Sequence, residues 1–128
     1  MSATKSDKSS GNAHERSRTY IVLPVEDGPT VLAVEDADAT EPLQRAVGGY
    51  FEAVGIPGSA AFMMCDEDGR AKSKPTNLRA SLLAGRQIVG DVILMGKADD
   101  EGVPGSFSID QLLDLAELRG VPSHHFGR

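Results

Sequence analysis

Tyr50 and Glu52 stand two residues apart in Tyr50-Phe51-Glu52-Ala53-Val54. Side chains at i and i+2 of a strand share a face, so a phenol and a carboxylate would lie side by side and could hold a polar ligand. The competing reading is structural, with Phe51 and Ala53 facing a core and Tyr50 and Glu52 facing solvent or a loop. A second concentration of chemistry runs from Arg70 to Gly90. It holds Arg70, Lys72, Lys74, Arg79 and Arg86 and no acid. With Asn77 and Ser81 it could receive a phosphate or carboxylate, because arginine forks match such anions. Its competing reading is a solvated loop that balances nearby acids. The candidate ligand- or partner-binding residues are therefore Tyr50, Glu52, Arg70, Lys72, Lys74, Asn77, Arg79 and Arg86.

Catalytic and metal patterns are not met. Cys65 is the only cysteine, so an intramolecular disulfide is impossible and a cysteine zinc site is nearly excluded. It ends an apolar run and precedes Asp66, an unfavourable neighbour for a thiolate, and reads as core packing. Asp66-Glu67-Asp68-Gly69 lacks the spacing of a calcium loop and reads as a hairpin turn. Asp99-Asp100-Glu101 reads as a solvated loop. His124 and His125 are adjacent, with no third ligand in view. Gly85 and Gly90 have the spacing of a phosphate loop, but Asp91 stands where lysine is required. His14 lies in the polar amino-terminal stretch, so residues 19–120 hold no histidine, and the commonest general acid–base is missing there. No catalytic residue, metal or cofactor is expected.

The chain has 128 residues and a net charge of −6, a length that suits one domain. Its first 18 residues carry four cations and two acids, leaving −8 on the remainder. An acidic body argues against direct binding to duplex nucleic acid, where phosphate neutralisation supplies most of the affinity. It leaves open a protein partner, a small anionic ligand at the basic segment, or mimicry of nucleic acid. No apolar run approaches the ~20 residues that span a bilayer, and residues 1–18 have no apolar stretch of a secretory signal. A cytoplasmic location is expected.

The elements that must position these residues follow from turn and cap signals. Residues 1–18 are polar and read as a disordered tail. Thr19–Val25 and Thr30–Glu35 read as a hairpin around Glu26-Asp27-Gly28-Pro29. Thr40 can cap a helix bearing the apolar stripe Leu43, Ala46, Val47. Gly48-Gly49 stops that helix, and Tyr50–Val54 is a strand. Ala60–Cys65 is the next strand, Asn77–Leu83 a short helix ending at Gly85, and Gln87–Met95 the most apolar strand. Ser108-Ile109-Asp110-Gln111 is a capping box, with Phe107 able to staple to Leu112, and the helix stops at Gly120. Residues 121–128 read as a tail. The order β-β-α-β-β-(short α)-β-α predicts an α+β domain over 19–120. A single mixed, mainly antiparallel sheet of about five strands, with two main helices on one face, is the simplest arrangement.

Val47-Gly48-Gly49-Tyr50-Phe51-Glu52, followed by Asp66-Glu67-Asp68-Gly69, Asn77 and Ile88-Val89-Gly90-Asp91, resembles a family of small phage-, plasmid- and bacterium-encoded proteins called domain of unknown function 3846. The family pattern tends to asparagine where Asp66 stands, and Asn77 sits in a differently spaced loop. The resemblance implies an accessory protein of a mobile element and adds no catalytic residues. The expected function is a non-enzymatic protein- or ligand-binding module. The alternatives are an acidic inhibitor that imitates nucleic acid, as some antirestriction proteins do, and a nucleotide-binding sponge or small enzyme using Glu52, Asn77 and Arg79.

Overall fold

A computed structural model describes residues 16–37 and 40–127. Most of the expected amino-terminal tail lies outside these residues, and Arg18 already belongs to the first strand. Five strands, β1 (Arg18–Leu23), β2 (Thr30–Val34), β3 (Phe51–Gly55), β4 (Phe62–Asp66) and β5 (Val92–Met95), form one sheet in the order β2-β1-β5-β4-β3. Every pairing is antiparallel, so the sheet is not mixed. Helices α1 (Glu41–Val47), α2 (Leu78–Ala84) and α3 (Ile109–Leu118) complete the α+β fold, with a 3-10 turn at Ser123–Phe126.

The helices cover both faces of the sheet, not one. Val92, Ile93, Leu94 and Met95 of the central strand are all fully buried, and a run buried without alternation needs apolar cover on each side. On one face Tyr20, Val34, Ile93 and Met95 pack with Leu43 and Val47 of α1. On the other, Ile21, Leu23, Met63, Cys65, Val92 and Leu94 pack with Ala80 and Leu83 of α2 and with Leu112, Leu115 and Ala116 of α3. The segment expected as a carboxy-terminal tail joins this second core. Val121 and Phe126 are buried in it, and the His125 carbonyl accepts a hydrogen bond from Arg79.

The cap signals act as their chemistry requires except at Thr40. Ser108 and Gln111 form the reciprocal capping box, and Phe107 and Leu112 are buried in one cluster. Thr40 starts α1 without a side-chain cap, and Pro42 supplies the first-turn geometry. Gly48 ends α1 at φ 85°, donating its N–H to the Gln44 carbonyl. The long apolar stretch 87–95 is a strand only from Val92, because Gly90 takes φ 78° and breaks the extended run; Thr76 and Val89 form an isolated bridge before it.

Gly48 is therefore constrained by its left-handed backbone, and a Cβ there would also sit 2.8 Å from Lys74 Nζ. Gly48→Ala is expected to cost about 1–2 kcal/mol in urea unfolding. Gly55→Ala, where an added Cβ meets nothing within 4 Å, should leave the midpoint close to wild type. Equal effects of the two changes would remove the backbone explanation.

Candidate functional site

Asp66 is the chemical centre of the region. It ends β4, its side chain is fully buried, and Lys72 and Lys74 both reach the same oxygen. The Lys72 Nζ to Oδ2 distance is 2.8 Å and the Lys74 Nζ to Oδ2 distance is 2.7 Å. Oδ1 accepts from the Asp68 N–H at 2.9 Å. Burial alone would raise the Asp66 pKa, but the hydrogen bonds from Lys72, Lys74 and the Asp68 amide outweigh it and hold the carboxyl well below the usual range. The two ammonium groups then continue to α1. Lys72 Nζ donates to the Gly48 carbonyl at 3.0 Å and Lys74 Nζ to the Val47 carbonyl at 2.7 Å. Cations belong at that end of a helix, where the last carbonyls are unpaired.

Glycines make the room for this cluster. A Cβ on Gly49 would lie 2.6 Å from Lys72 Nζ and 3.1 Å from Asp66 Oδ1. A Cβ on Gly90 would lie 2.9 Å from Lys74 Cδ. Asn77 holds the next layer. It is fully buried, donating to the Leu23 and Gly90 carbonyls at 2.9 Å each and accepting from the Ala80 N–H as the cap of α2. Asp91 Oδ1 accepts from the Val25 N–H at 3.0 Å.

Above this framework opens a cleft of about 520 Å³. Val47 and Gly48 at the end of α1 form one wall, Pro24 to Asp27 of the β1–β2 turn another, and Lys74, Pro75, Gly90 and Asp91 the rest, with Arg45 and Ala46 at the side. It carries cations at Arg45 and Lys74 and carboxylates at Glu26, Asp27 and Asp91. Arg45 is exposed and pairs with Glu41, one turn earlier on α1.

The eight candidate residues do not form one site. Lys72 and Lys74 bind Asp66 beneath the Gly48-Gly49 junction. Asn77 and Arg79 are framework, and Arg79 donates to the Pro24, Asp27 and His125 carbonyls. Glu52, Arg70 and Arg86 line a separate depression of about 50 Å³ with Cys65. There the Cys65 thiol is pushed up to about 11, by burial first and then by the Glu52 carboxylate. Tyr50 is 69% exposed, and its carbonyl accepts from the Glu67 N–H. His124 and His125 stack on each other at 4.4 Å. Among the described residues no three His, Cys, Asp or Glu side chains are grouped as a metal would need.

Asp66, Arg45 and Asp91 were not among the residues expected from sequence. For Asp66 a signal existed. It follows an apolar strand directly and faces an acid-free basic segment, so a buried acid with local counter-charges was available. Asp91 was marked only by its place in the Ile88-Val89-Gly90-Asp91 stretch of the resemblance, and nothing in the local sequence around Arg45 distinguishes it from an ordinary surface charge.

The pieces of the family pattern thus surround one volume, with Val47, Gly48, Gly90 and Asp91 in its walls and Asp66 and Asn77 holding those walls. The sequence profile of the family described as Domain of unknown function (DUF3846) matches residues 19–118. The chain belongs to this family. No curated protein matches it. Among solved structures, this DUF3846 chain is similar to part of the crystal structure of small RNA methyltransferase HEN1, with a TM-score of 0.59 and 16% identity. The match covers 79% of this chain and 16% of that one, and at this identity it shows the fold alone.

The Asp66 cluster sets an acid limb on stability in this DUF3846 domain. A carboxyl whose folded pKa is depressed contributes stability that is complete above its unfolded pKa, near ~4, and lost as the pH falls below that. Asp66→Asn is expected to cost about 3 kcal/mol at pH 7, the low end for breaking a buried pair, because Lys72 and Lys74 can rehydrate. The gap between the two proteins should narrow as the pH drops from about 5 to 2. Urea midpoints that differ by a constant amount over that range would contradict the assignment.

Proposed function

We propose that this DUF3846 protein is a non-enzymatic binding module, and that its ligand site is the cleft between the end of α1, the β1–β2 turn and Gly90-Asp91. The observation that carries this reading is the convergence of the family pattern on a single cleft: Val47-Gly48 and Gly90-Asp91 stand in its walls, and Asp66 and Asn77, from two further stretches, hold those walls in place. Its volume falls in the range of small-molecule sites, roughly 300–1,000 Å³. A groove of about 540 Å³ beside α3 is as large, but among the described residues its charged groups are Asp114 and Glu117, both acids.

The chemistry of the walls suggests the ligand class. Two hydrogens of the Lys74 ammonium are engaged by Asp66 and Val47, which leaves one for a ligand, and Arg45 offers a guanidinium. Across the cleft, the carboxylates of Glu26, Asp27 and Asp91 offer acceptors to a ligand. A small polar molecule with an anionic group at one end and hydrogen-bond donors at the other fits this pattern, and nucleotides and their cyclic or ADP-ribose derivatives are the first to try. The binding reading is supported by how the reactive groups are held: Asp66 and Asn77 are tied into the framework, and the Cys65 thiol, pushed up to about 11, carries its proton at neutral pH. The family resemblance suggests the setting, an accessory protein of a mobile genetic element.

Amide chemical shifts recorded against such a ligand series should move at residues 24–27, 45–48 and 90–91. Arg45→Ala is expected to weaken the ligand that binds about tenfold, or about 1.4 kcal/mol. It should leave the unfolding midpoint within about 0.5 kcal/mol, as for an exposed side chain. Shifts confined to other residues, or unchanged affinity in the variant, would count against the cleft.

A further inference from the structure

We infer that the groove beside α3 is a docking site for a basic amphipathic helix of a partner protein. The inference is independent of the cleft, and it starts from charges that the fold itself does not use. Asp110, Asp114 and Glu117 stand at i, i+4 and i+7 of α3, so their side chains share one face. None of the three carboxylates has an ion pair or a side-chain hydrogen bond among the described residues. Like charges at these spacings oppose helix formation. Glu117 adds a negative charge in the last turn, where the macrodipole is already negative and no basic residue offsets it. α1 shows the ordinary pattern, with Glu41 in its first turn paired to Arg45 in its last. Arg119, the cation nearest to Glu117 in sequence, donates to the Leu83 carbonyl instead.

The acidic stripe borders apolar surface on both sides. The groove of about 540 Å³ runs between α3 and residues 120–123, with Leu113, Val121 and Pro122 as its apolar wall. On the other flank a second groove of about 370 Å³ also reaches Asp114 and includes Leu118, which is 60% exposed. A surface that follows both flanks of a helix is more extended than a small molecule needs and suits a macromolecular partner. Charge and period select the occupant. Carboxylates that repeat with the period of a helix are met best by lysine or arginine of the same period on a second helix lying alongside, at the ~8–10 Å that packed helices keep. The apolar stripe of that helix belongs in the larger groove, whose charged groups are both acids, because Lys97 lines the smaller one. A second copy docking through this same face would set one acidic stripe against the other, and the phosphates of a nucleic acid would be repelled. Recognition would be of the helix-in-groove kind, with apolar anchors supplying affinity and the flanking charges supplying orientation.

The test uses the full chain and a fluorescent peptide of about 15 residues, long enough to hold a helix when bound. Its leucines recur at i, i+3, i+4 and i+7, and lysines flank that stripe. A second peptide has the same composition with the leucines spread around the helix, and a third has glutamate in place of lysine. The leucine-stripe peptide should bind with amide shifts concentrated at residues 110–123. Both controls should bind about tenfold more weakly or worse at low salt. A variant carrying Asp114→Asn and Glu117→Gln supplies a readout of opposite sign. It should weaken the leucine-stripe peptide about tenfold at low salt and by much less at about 0.5 M salt, where exposed charges are screened. The same variant, free of peptide, should unfold at slightly higher urea, because like-charge repulsion along α3 is removed. Equal affinity for the two lysine peptides, unchanged affinity in the variant, or shifts centred away from α3 would overturn the proposal in favour of non-specific attraction. A lower urea midpoint in the variant would overturn it by giving the carboxylates a structural role. Sedimentation showing that the chain alone dimerises, with slowed hydrogen exchange at residues 109–118, would overturn it in favour of a second copy.

Discussion

A buried carboxylate with two ammonium partners is the constraint from which the rest of the structure follows. Taking the Asp66 charge out of water costs several kcal/mol unless partners replace the solvent. Lys72 and Lys74 do so from the loop that follows β4, and both continue to the last carbonyls of α1. One interaction thereby joins the end of a strand, the loop after it and the end of a helix on the opposite side of the chain's course. The cluster also dictates sequence where it makes no direct bond. Gly49 is small because an ammonium and a carboxylate occupy the place of its side chain, and Gly90 is small because the Lys74 stem passes over it. The Gly48-Gly49 pair has two separate reasons, a left-handed backbone at the first and a close approach at the second.

The same device recurs at α2. Gly85 ends that helix in the left-handed conformation, and Arg119 lies across it, its Nε donating to the Leu83 carbonyl at 2.9 Å. Arg79 gathers three more carbonyls from the β1–β2 turn and the carboxy-terminal segment, and Arg70 donates to Gln87. In a chain with a large excess of acids, the cations of residues 70–79 mostly meet backbone carbonyls. An acid-free run of lysine and arginine therefore acts as a set of joints. A buried guanidinium needs acceptors as much as it needs a counter-charge, and the ends of helices and turns supply them without an acidic side chain.

This explains which parts of the molecule were legible in sequence. The hairpin, the three helices and the strand order along the chain followed from local signals: an αL glycine at the end of α1, Asn77 at the start of α2 and a reciprocal capping box at α3. These depend on neighbours within four residues. The two-sided cover of the sheet was also written in Val92-Ile93-Leu94-Met95, whose lack of alternation is the mark of a strand buried on both faces, though a one-layer arrangement is simpler. The candidate site was far less legible. Lys72 and Lys74 were noticed for their charge, but their partner is a strand residue in what reads as an ordinary turn. Asn77 and Arg79 were noticed for chemistry that the framework engages. A side chain's availability depends on contacts 24 to 55 residues away in sequence, such as Asn77 with Leu23, and no local window contains them.

The cleft inherits its shape from the cluster beneath it. Val47, Gly48, Lys74 and Gly90 are walls, and each touches the Asp66–lysine assembly or the Asn77 layer that supports it. A site whose walls are fixed by buried charge pairing does not have to order its groups when a ligand arrives, and avoiding that ordering is where affinity is gained. The Lys74 ammonium illustrates the point. Two of its hydrogens are held by Asp66 and Val47, so the third has a fixed direction before any ligand binds.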